Sequence, residues 1–94
     1  MNDYEKQVFR SAISKYGETN QIIVAIEEMS ELIKALCKRL RGKPDFENIA
    51  EEMADAGIML DQLSIMEQNA DRVRKRRNEK VRRLKVRVMG KGGG

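Results

Sequence analysis

Two stretches of the sequence place apolar residues at alternating intervals of four and three, separated by a short segment that interrupts any helix. This spacing puts the apolar side chains on one side of an α-helix. The first row is Ile22, Ile26, Met29, Ile33, Leu36 and Leu40, and the second is Ile49, Met53, Ala56, Leu60 and Leu63. Gly42 and Pro44 lie between the two rows. Because the connection is short, the two helices are predicted to be antiparallel neighbours that bury these rows in a bundle core.

Two further helices are predicted on either side of this pair, which makes the chain all-α. Asn2 or Asp3 caps a first helix that ends near Tyr16, and the last helix ends near Met89. The second helix is predicted to start after Thr19 or Asn20, the third to span about residues 46–68 and the fourth to follow Asn69-Ala70-Asp71. We therefore predict one domain over residues 1–89 with a four-helix bundle-type core, completed by oligomerisation because so short a chain has a small core. Residues 90–94 are predicted to be a disordered Gly-rich tail.

The composition excludes several kinds of chemistry. The 94 residues include no His, which removes Glu-x-x-His di-iron sites and Ser-His or Cys-His catalysis. Cys37 is the only cysteine, so no intramolecular disulfide forms, and its place among apolar residues predicts a packed, reduced thiol. The first residues lack the apolar segment of a signal peptide, and no apolar run reaches the ~18 residues of a membrane span. These features predict a cytoplasmic protein without a membrane partner.

Two pairs of acidic residues lie beside the apolar rows. Glu28 and Glu31 are three residues apart, as are Glu52 and Asp55, so each pair shares one side of its helix. The first pair lies 14 and 11 residues before Gly42, and the second lies 8 and 11 residues after Pro44. At ~1.5 Å per residue the two pairs reach similar heights, which predicts that four carboxylates converge. Such a cluster needs protons or cations, and oxygen ligands alone favour Mg²⁺, Mn²⁺ or Ca²⁺.

The last part of the chain is strongly positive, whereas the rest of the chain is negative. Residues 72–91 contain eleven basic residues and one acidic residue, a net +10, whereas the remaining eight basic and fourteen acidic residues give −6. Lys80 and Arg83 share a side near Leu84, where they are suited to contact a phosphate chain that bridges metal ions. A solvated surface and nonspecific nucleic-acid binding are the alternatives for these cations. Nucleic acid is the less favoured partner because no aromatic residue interleaves them.

The two acidic motifs together resemble those of the MazG-like family. Its all-alpha nucleoside triphosphate pyrophosphohydrolase superfamily also includes dimeric dUTPases, dCTP pyrophosphatases and phosphoribosyl-ATP pyrophosphohydrolase. The family pattern EExxE is present as Glu27-Glu28-Met29-Ser30-Glu31, and ExxD is present as Glu52-Met53-Ala54-Asp55. The similarity covers about residues 20–85, and the sequence around these motifs also resembles small members from phages and prophages.

This resemblance implies a fold, an activity and a set of site residues. It implies a four-helix MazG-like core in dimers or tetramers, and Mg²⁺-dependent cleavage of (d)NTP between the α and β phosphates to NMP and pyrophosphate, with Mn²⁺ as a substitute metal. Glu28, Glu31, Glu52 and Asp55 would be the metal ligands, and Glu27 would support them or orient water. Lys80 and Arg83, in the run Lys80-Val81-Arg82-Arg83-Leu84, would contact the substrate phosphates.

Some features depart from the family pattern and keep alternatives open. The last helix is far more basic than a pyrophosphohydrolase requires, and no Trp is present to stack on a base. Base selectivity is therefore not implied. Phosphoribosyl-ATP is an alternative substrate, and an inactive relative is a further alternative. A non-enzymatic helical module that binds nucleic acid through the basic last helix is the alternative from a different functional class.

Overall fold

The computed structural model describes residues 1–90, which form four α-helices. They are α1 (Asp3–Tyr16), α2 (Glu18–Leu40), α3 (Phe46–Glu67) and α4 (Ala70–Met89). This part of the chain contains no strand, so the all-α prediction is confirmed. The predicted helix ends agree closely with the structure, except that α2 begins at Glu18, before either predicted cap. The predicted disordered tail begins at Gly90, and its residues 91–94 lie outside the described part of the chain.

Local sequence signals set several helix ends. The Asn2 side chain accepts a hydrogen bond from the Glu5 backbone at 2.8 Å, and the Glu5 carboxylate accepts one from the Asn2 backbone at 3.0 Å. This reciprocal capping box fixes the start of α1. Gly17 is the single residue between α1 and α2, and its φ of 90° is a conformation that glycine adopts without strain. Asp45 caps α3 by accepting a hydrogen bond from the Asn48 backbone at 3.0 Å.

The helices pack as a group of three with the fourth attached at one end. The largest interface is between α2 and α3, and α1 contacts both of them. The buried residues are Phe9, Gln21, Ala25, Ala35, Ala56, Met59 and Gln62. Since none of these lies on α4, and α4 contacts α3 alone among the helices, the fourth helix adds nothing to the core of the single chain.

The side of α2 that packs against α3 is not the predicted apolar row. Ala25 and Ala35 are buried, whereas Ile26 and Ile33 are 63% and 61% exposed, so the prediction that the α2 row forms the core is wrong for the single chain. The predicted α3 row contributes Ala56 to the core. The alanines allow a close helix approach that the larger row would prevent. Cys37, predicted to be packed, is also exposed.

Most of the apolar residues in the two predicted rows are exposed on one side of the α2–α3 pair, and we call this surface the apolar outer face. On α3 the packed residues are Ala56 and Met59, while Met53 and Leu60 are exposed. In both helices the exposed row follows the packed row by one position in the sequence, which is a rotation of about 100° around the helix axis. Because α2 and α3 are antiparallel, this rotation brings both rows to the same side of the pair. The face consists of Ile22, Ile26, Ile33, Leu36 and Leu40 on α2 and Met53 and Leu60 on α3.

A buried pair of glutamines joins α2 to α3. The Gln21 side-chain amide donates a hydrogen bond to the Gln62 side-chain oxygen at 2.7 Å, and each residue is 5% exposed. We expect Gln62→Leu to lower the free energy of unfolding by about 1–3 kcal/mol, because it leaves the buried Gln21 amide without this partner. Urea unfolding measures this loss. The double variant Gln21→Leu/Gln62→Leu should recover part of it, and losses that simply add would contradict the pairing.

Candidate metal centre

Three carboxylates from two helices meet beside the α2–α3 interface. Glu28 from α2 and Glu52 and Asp55 from α3 each place one oxygen so that all three lie within 4.8 Å of one another. The antiparallel register accounts for this meeting, since α2 residue 21 pairs with α3 residue 62 and the same alignment brings Glu28 opposite Asp55. The predicted convergence is thus confirmed for three of the four acids.

The neighbouring charges and partial burial make this cluster electrostatically unfavourable without a cation. Partial burial raises the pKa of Glu28 above its ordinary 4.5, and Asp55 raises it further through its charge and a side-chain hydrogen bond. The pKa of Glu52 is raised by the same desolvation, then by the charges of Asp55 and Glu31. The Oε2 atom of Glu52 is buried and has no hydrogen-bond partner within residues 1–90. An unpartnered buried carboxylate oxygen beside two other carboxylates fits a cation ligand.

The other two predicted acids lie at the edge of the cluster or outside it. Glu31 is exposed and forms an ion pair with Lys34 at 3.3 Å, yet its charge contributes to the raised pKa of both Glu28 and Glu52. It is therefore near the cluster but is not one of the three converging carboxylates. Glu27 is exposed, and its carbonyl oxygen accepts a hydrogen bond from the Ser30 hydroxyl at 2.8 Å. Lys34 was not predicted as a partner of Glu31, and only its three-residue spacing from Glu31 would have indicated it.

The structure does not bring the predicted phosphate contacts to these acids within one chain. Lys80 and Arg83 are exposed on α4, which contacts α3 but not α2. Within residues 1–90, neither forms an ion pair with an acid of the cluster; the ion pairs of α4 are Arg74 with Asp71 and Arg76 with Glu79. Any role for Lys80 and Arg83 at the cluster thus requires an arrangement beyond the single chain.

The donor set of the cluster indicates which metals it suits. Its ligands are carboxylate oxygens alone, with no nitrogen or sulfur among the converging groups. Hard oxygen donors suit Mg²⁺, Mn²⁺ and Ca²⁺, and one or two carboxylates together with substrate phosphates are the usual environment of Mg²⁺ in proteins. Asp55 is exposed, whereas Glu28 and Glu52 are partly buried.

Comparisons with known proteins found no match for this chain among family models, curated proteins or solved structures. The resemblance to the MazG-like family therefore depends on the two acidic motifs and their spacing. None of the helices over residues 1–90 combines the length and apolar character needed to cross a bilayer.

The raised pKa values predict how stability depends on pH. An acid whose pKa is higher in the folded state binds more protons when folded, so its contribution is present below the unfolded pKa and is lost as pH rises through the folded value. In EDTA, we expect the melting temperature of the wild type to fall more steeply above pH 4.5, the ordinary pKa of Glu52, than that of Glu52→Gln. Thermal melts over this range measure the difference. Parallel profiles for the two proteins would contradict the prediction.

Proposed function

We propose that this protein is a Mg²⁺-dependent nucleoside triphosphate pyrophosphohydrolase of the MazG-like type. It would hydrolyse a (d)NTP between the α and β phosphates, with water as the nucleophile and NMP and pyrophosphate as products. The observation that carries the proposal is the convergence of Glu28, Glu52 and Asp55. These three acids come from the EExxE and ExxD motifs, whose combination is the basis of the resemblance.

The acidic cluster has the central role in this proposal. Glu28, Glu52 and Asp55 would hold the cation, and Glu31, which pairs with Lys34 in the single chain, would be a fourth ligand. Mg²⁺, when bound, supplies positive charge that offsets the charge of the triphosphate and favours attack at phosphorus. Glu28 and Glu52 are partly buried, and carboxylates in such positions need a partner for their charge. Glu27, one residue before the cluster, orients the attacking water.

The remaining parts of the site are proposed to come together in a homo-oligomer. Lys80 and Arg83 would stabilise negative charge on the leaving pyrophosphate. In one chain they are exposed on a helix that does not contact α2, so we propose that assembly brings them to the cluster. The exposed apolar outer face supports this proposal, because contiguous apolar surface of this kind marks interaction sites.

Release of pyrophosphate from a panel of NTPs and dNTPs, in Mg²⁺ and in EDTA, tests the proposal. We expect release from at least one nucleotide in Mg²⁺ and none in EDTA. Phosphoribosyl-ATP belongs in the same panel, since its hydrolysis would keep the chemistry and change the substrate. Folded protein that releases no pyrophosphate from any of these compounds would contradict the proposed function.

A further inference from the structure

The fourth helix carries a concentration of positive charge of which the proposed hydrolysis uses only Lys80 and Arg83. Within Ala70–Met89 there are ten basic and two acidic side chains, a net charge of +8. Asp71 pairs with Arg74 and Glu79 pairs with Arg76, which leaves eight cations of this helix without an acidic partner in residues 1–90. A charge surplus of this size on one exposed helix needs an anionic partner or solvent to offset it.

The helix is accessible on most of its circumference. It has no buried residue, and among the helices it contacts only α3. At 100° per residue its cations point in all directions around the axis: Arg72, Arg74, Lys75, Arg76, Arg77, Lys80, Arg82, Arg83, Lys85 and Arg87. Its 20 residues extend over ~30 Å, close to one ~34 Å turn of duplex DNA.

Three features of α4 distinguish among polyanions. Helices that lie on membranes have a wide apolar face rich in bulky residues, whereas here four aliphatic residues form a narrow stripe interrupted by Arg77: Val73, Val81, Leu84 and Val88. The helix contains no aromatic residue on which the bases of a single strand would stack. Seven of its ten cations are arginines, whose planar guanidinium groups bind phosphate oxygens in pairs.

We infer that α4 is a binding surface for duplex DNA. The helix lies in the major groove, which is about 12 Å wide and admits an α-helix, and its cations contact phosphates of both strands. Duplex RNA is a poorer partner because its deep, narrow major groove excludes such a helix. Since contacts to phosphates carry no base information, binding is independent of sequence. This inference rests on α4 alone and is independent of the acidic cluster and of the proposed hydrolysis.

Fluorescence anisotropy with a labelled 24-bp duplex and the full chain, in EDTA and without nucleotide, tests this inference. We expect affinity to fall steeply with salt, with a log–log slope of about −5 to −7 for six to eight phosphate contacts. Neutralising three cations of α4, in Lys75→Gln/Arg82→Gln/Lys85→Gln, should reduce the slope by about 2.7 and weaken binding at least ~10-fold at low salt. Circular dichroism verifies that this variant keeps its helix content.

The matched control is Lys75→Arg/Arg82→Lys/Lys85→Arg, which exchanges the same side chains while keeping their charge. It should bind the duplex as the wild type does. Both triple variants retain Lys80 and Arg83, so pyrophosphate release should be unchanged in each. DNA binding and pyrophosphate release are measured separately, so failure of the DNA inference is distinguished from failure of the proposed hydrolysis. The inference is overturned by an unchanged salt slope in the neutralised variant. It is equally overturned by tighter binding to phosphatidylserine vesicles, or by equal binding to single-stranded DNA or duplex RNA of the same length.

Discussion

Replacing Glu52 by glutamine is expected to abolish Mg²⁺-dependent pyrophosphate release, with a loss of at least ~100-fold. Glu52 has the buried oxygen without a hydrogen-bond partner and lies within 4.8 Å of Glu28 and Asp55 at the cluster. Removal of one carboxylate ligand weakens Mg²⁺ binding and removes several kcal/mol of transition-state stabilisation, and each 1.36 kcal/mol is about tenfold in rate. The nucleotide assay with titrated Mg²⁺ measures this loss, and excess Mg²⁺ should recover only part of the rate.

The same substitution should raise the melting temperature in EDTA. The charges of Asp55 and Glu31 oppose ionisation of Glu52, and a neutral amide removes this repulsion and donates hydrogen bonds to the remaining acids. A residue needed only for folding would lose stability together with activity, whereas a metal ligand gains stability as activity falls. Glu51→Gln, an exposed glutamate at the preceding position, is the matched control and should change neither property greatly. Full activity in folded Glu52→Gln would contradict the proposed role.

The helices and the acidic cluster were predictable because local signals and chain register determine them. Asn2 and Asp45 cap helices through bonds to residues three positions later, and such contacts depend only on nearby sequence. The heights of the acids follow from counting residues from the turn between α2 and α3. The ion pair of Glu31 with Lys34 was less evident, since side-chain rotamers decide which neighbour a surface carboxylate contacts.

The side on which α2 packs could not be predicted from apolar spacing. The row that contains Ala25 and Ala35 and the row that contains Ile26 and Ile33 follow nearly the same period, so periodicity does not distinguish them. Preference for the larger side chains selected the wrong row. In the structure the small row allows the backbones to approach closely, and the hydrogen bond between Gln21 and Gln62 fixes the register.

The position of α4 also could not be predicted from the sequence. A four-helix bundle-type core was predicted, yet none of the apolar residues Val73, Val81, Leu84 and Val88 on α4 is buried. The stripe is narrow, and burial of the whole helix within one chain would desolvate many cations. Packing of such a helix therefore depends on anionic or apolar surfaces of other elements or partners. The sequence of the helix itself does not indicate whether those surfaces exist.

The double substitution Ile26→Glu/Ile33→Glu is expected to convert an oligomer of this chain into monomers. These residues are 63% and 61% exposed at the centre of the apolar outer face. Burial of a large aliphatic side chain contributes about 1.5–3 kcal/mol, and a buried unpaired carboxylate adds a further cost. The dissociation constant should therefore rise at least ~1000-fold, which corresponds to roughly 4 kcal/mol. Light scattering after size-exclusion chromatography measures the mass of each protein.

Lys38→Glu is the control for this prediction, because it changes the net charge by the same amount on the same helix, away from the apolar outer face. It should leave the mass of the oligomer unchanged, and a monomeric wild type would contradict the proposed assembly. Activity of the Ile26→Glu/Ile33→Glu protein then distinguishes two arrangements of the site. If Lys80 and Arg83 reach the acids only in the oligomer, the monomer keeps its metal ligands but loses the stabilisation of charge on the leaving pyrophosphate, and kcat/KM for nucleotide falls. An unchanged kcat/KM in a folded monomer would mean that α4 takes no part in hydrolysis, and its positive charge would be available in full for the DNA duplex.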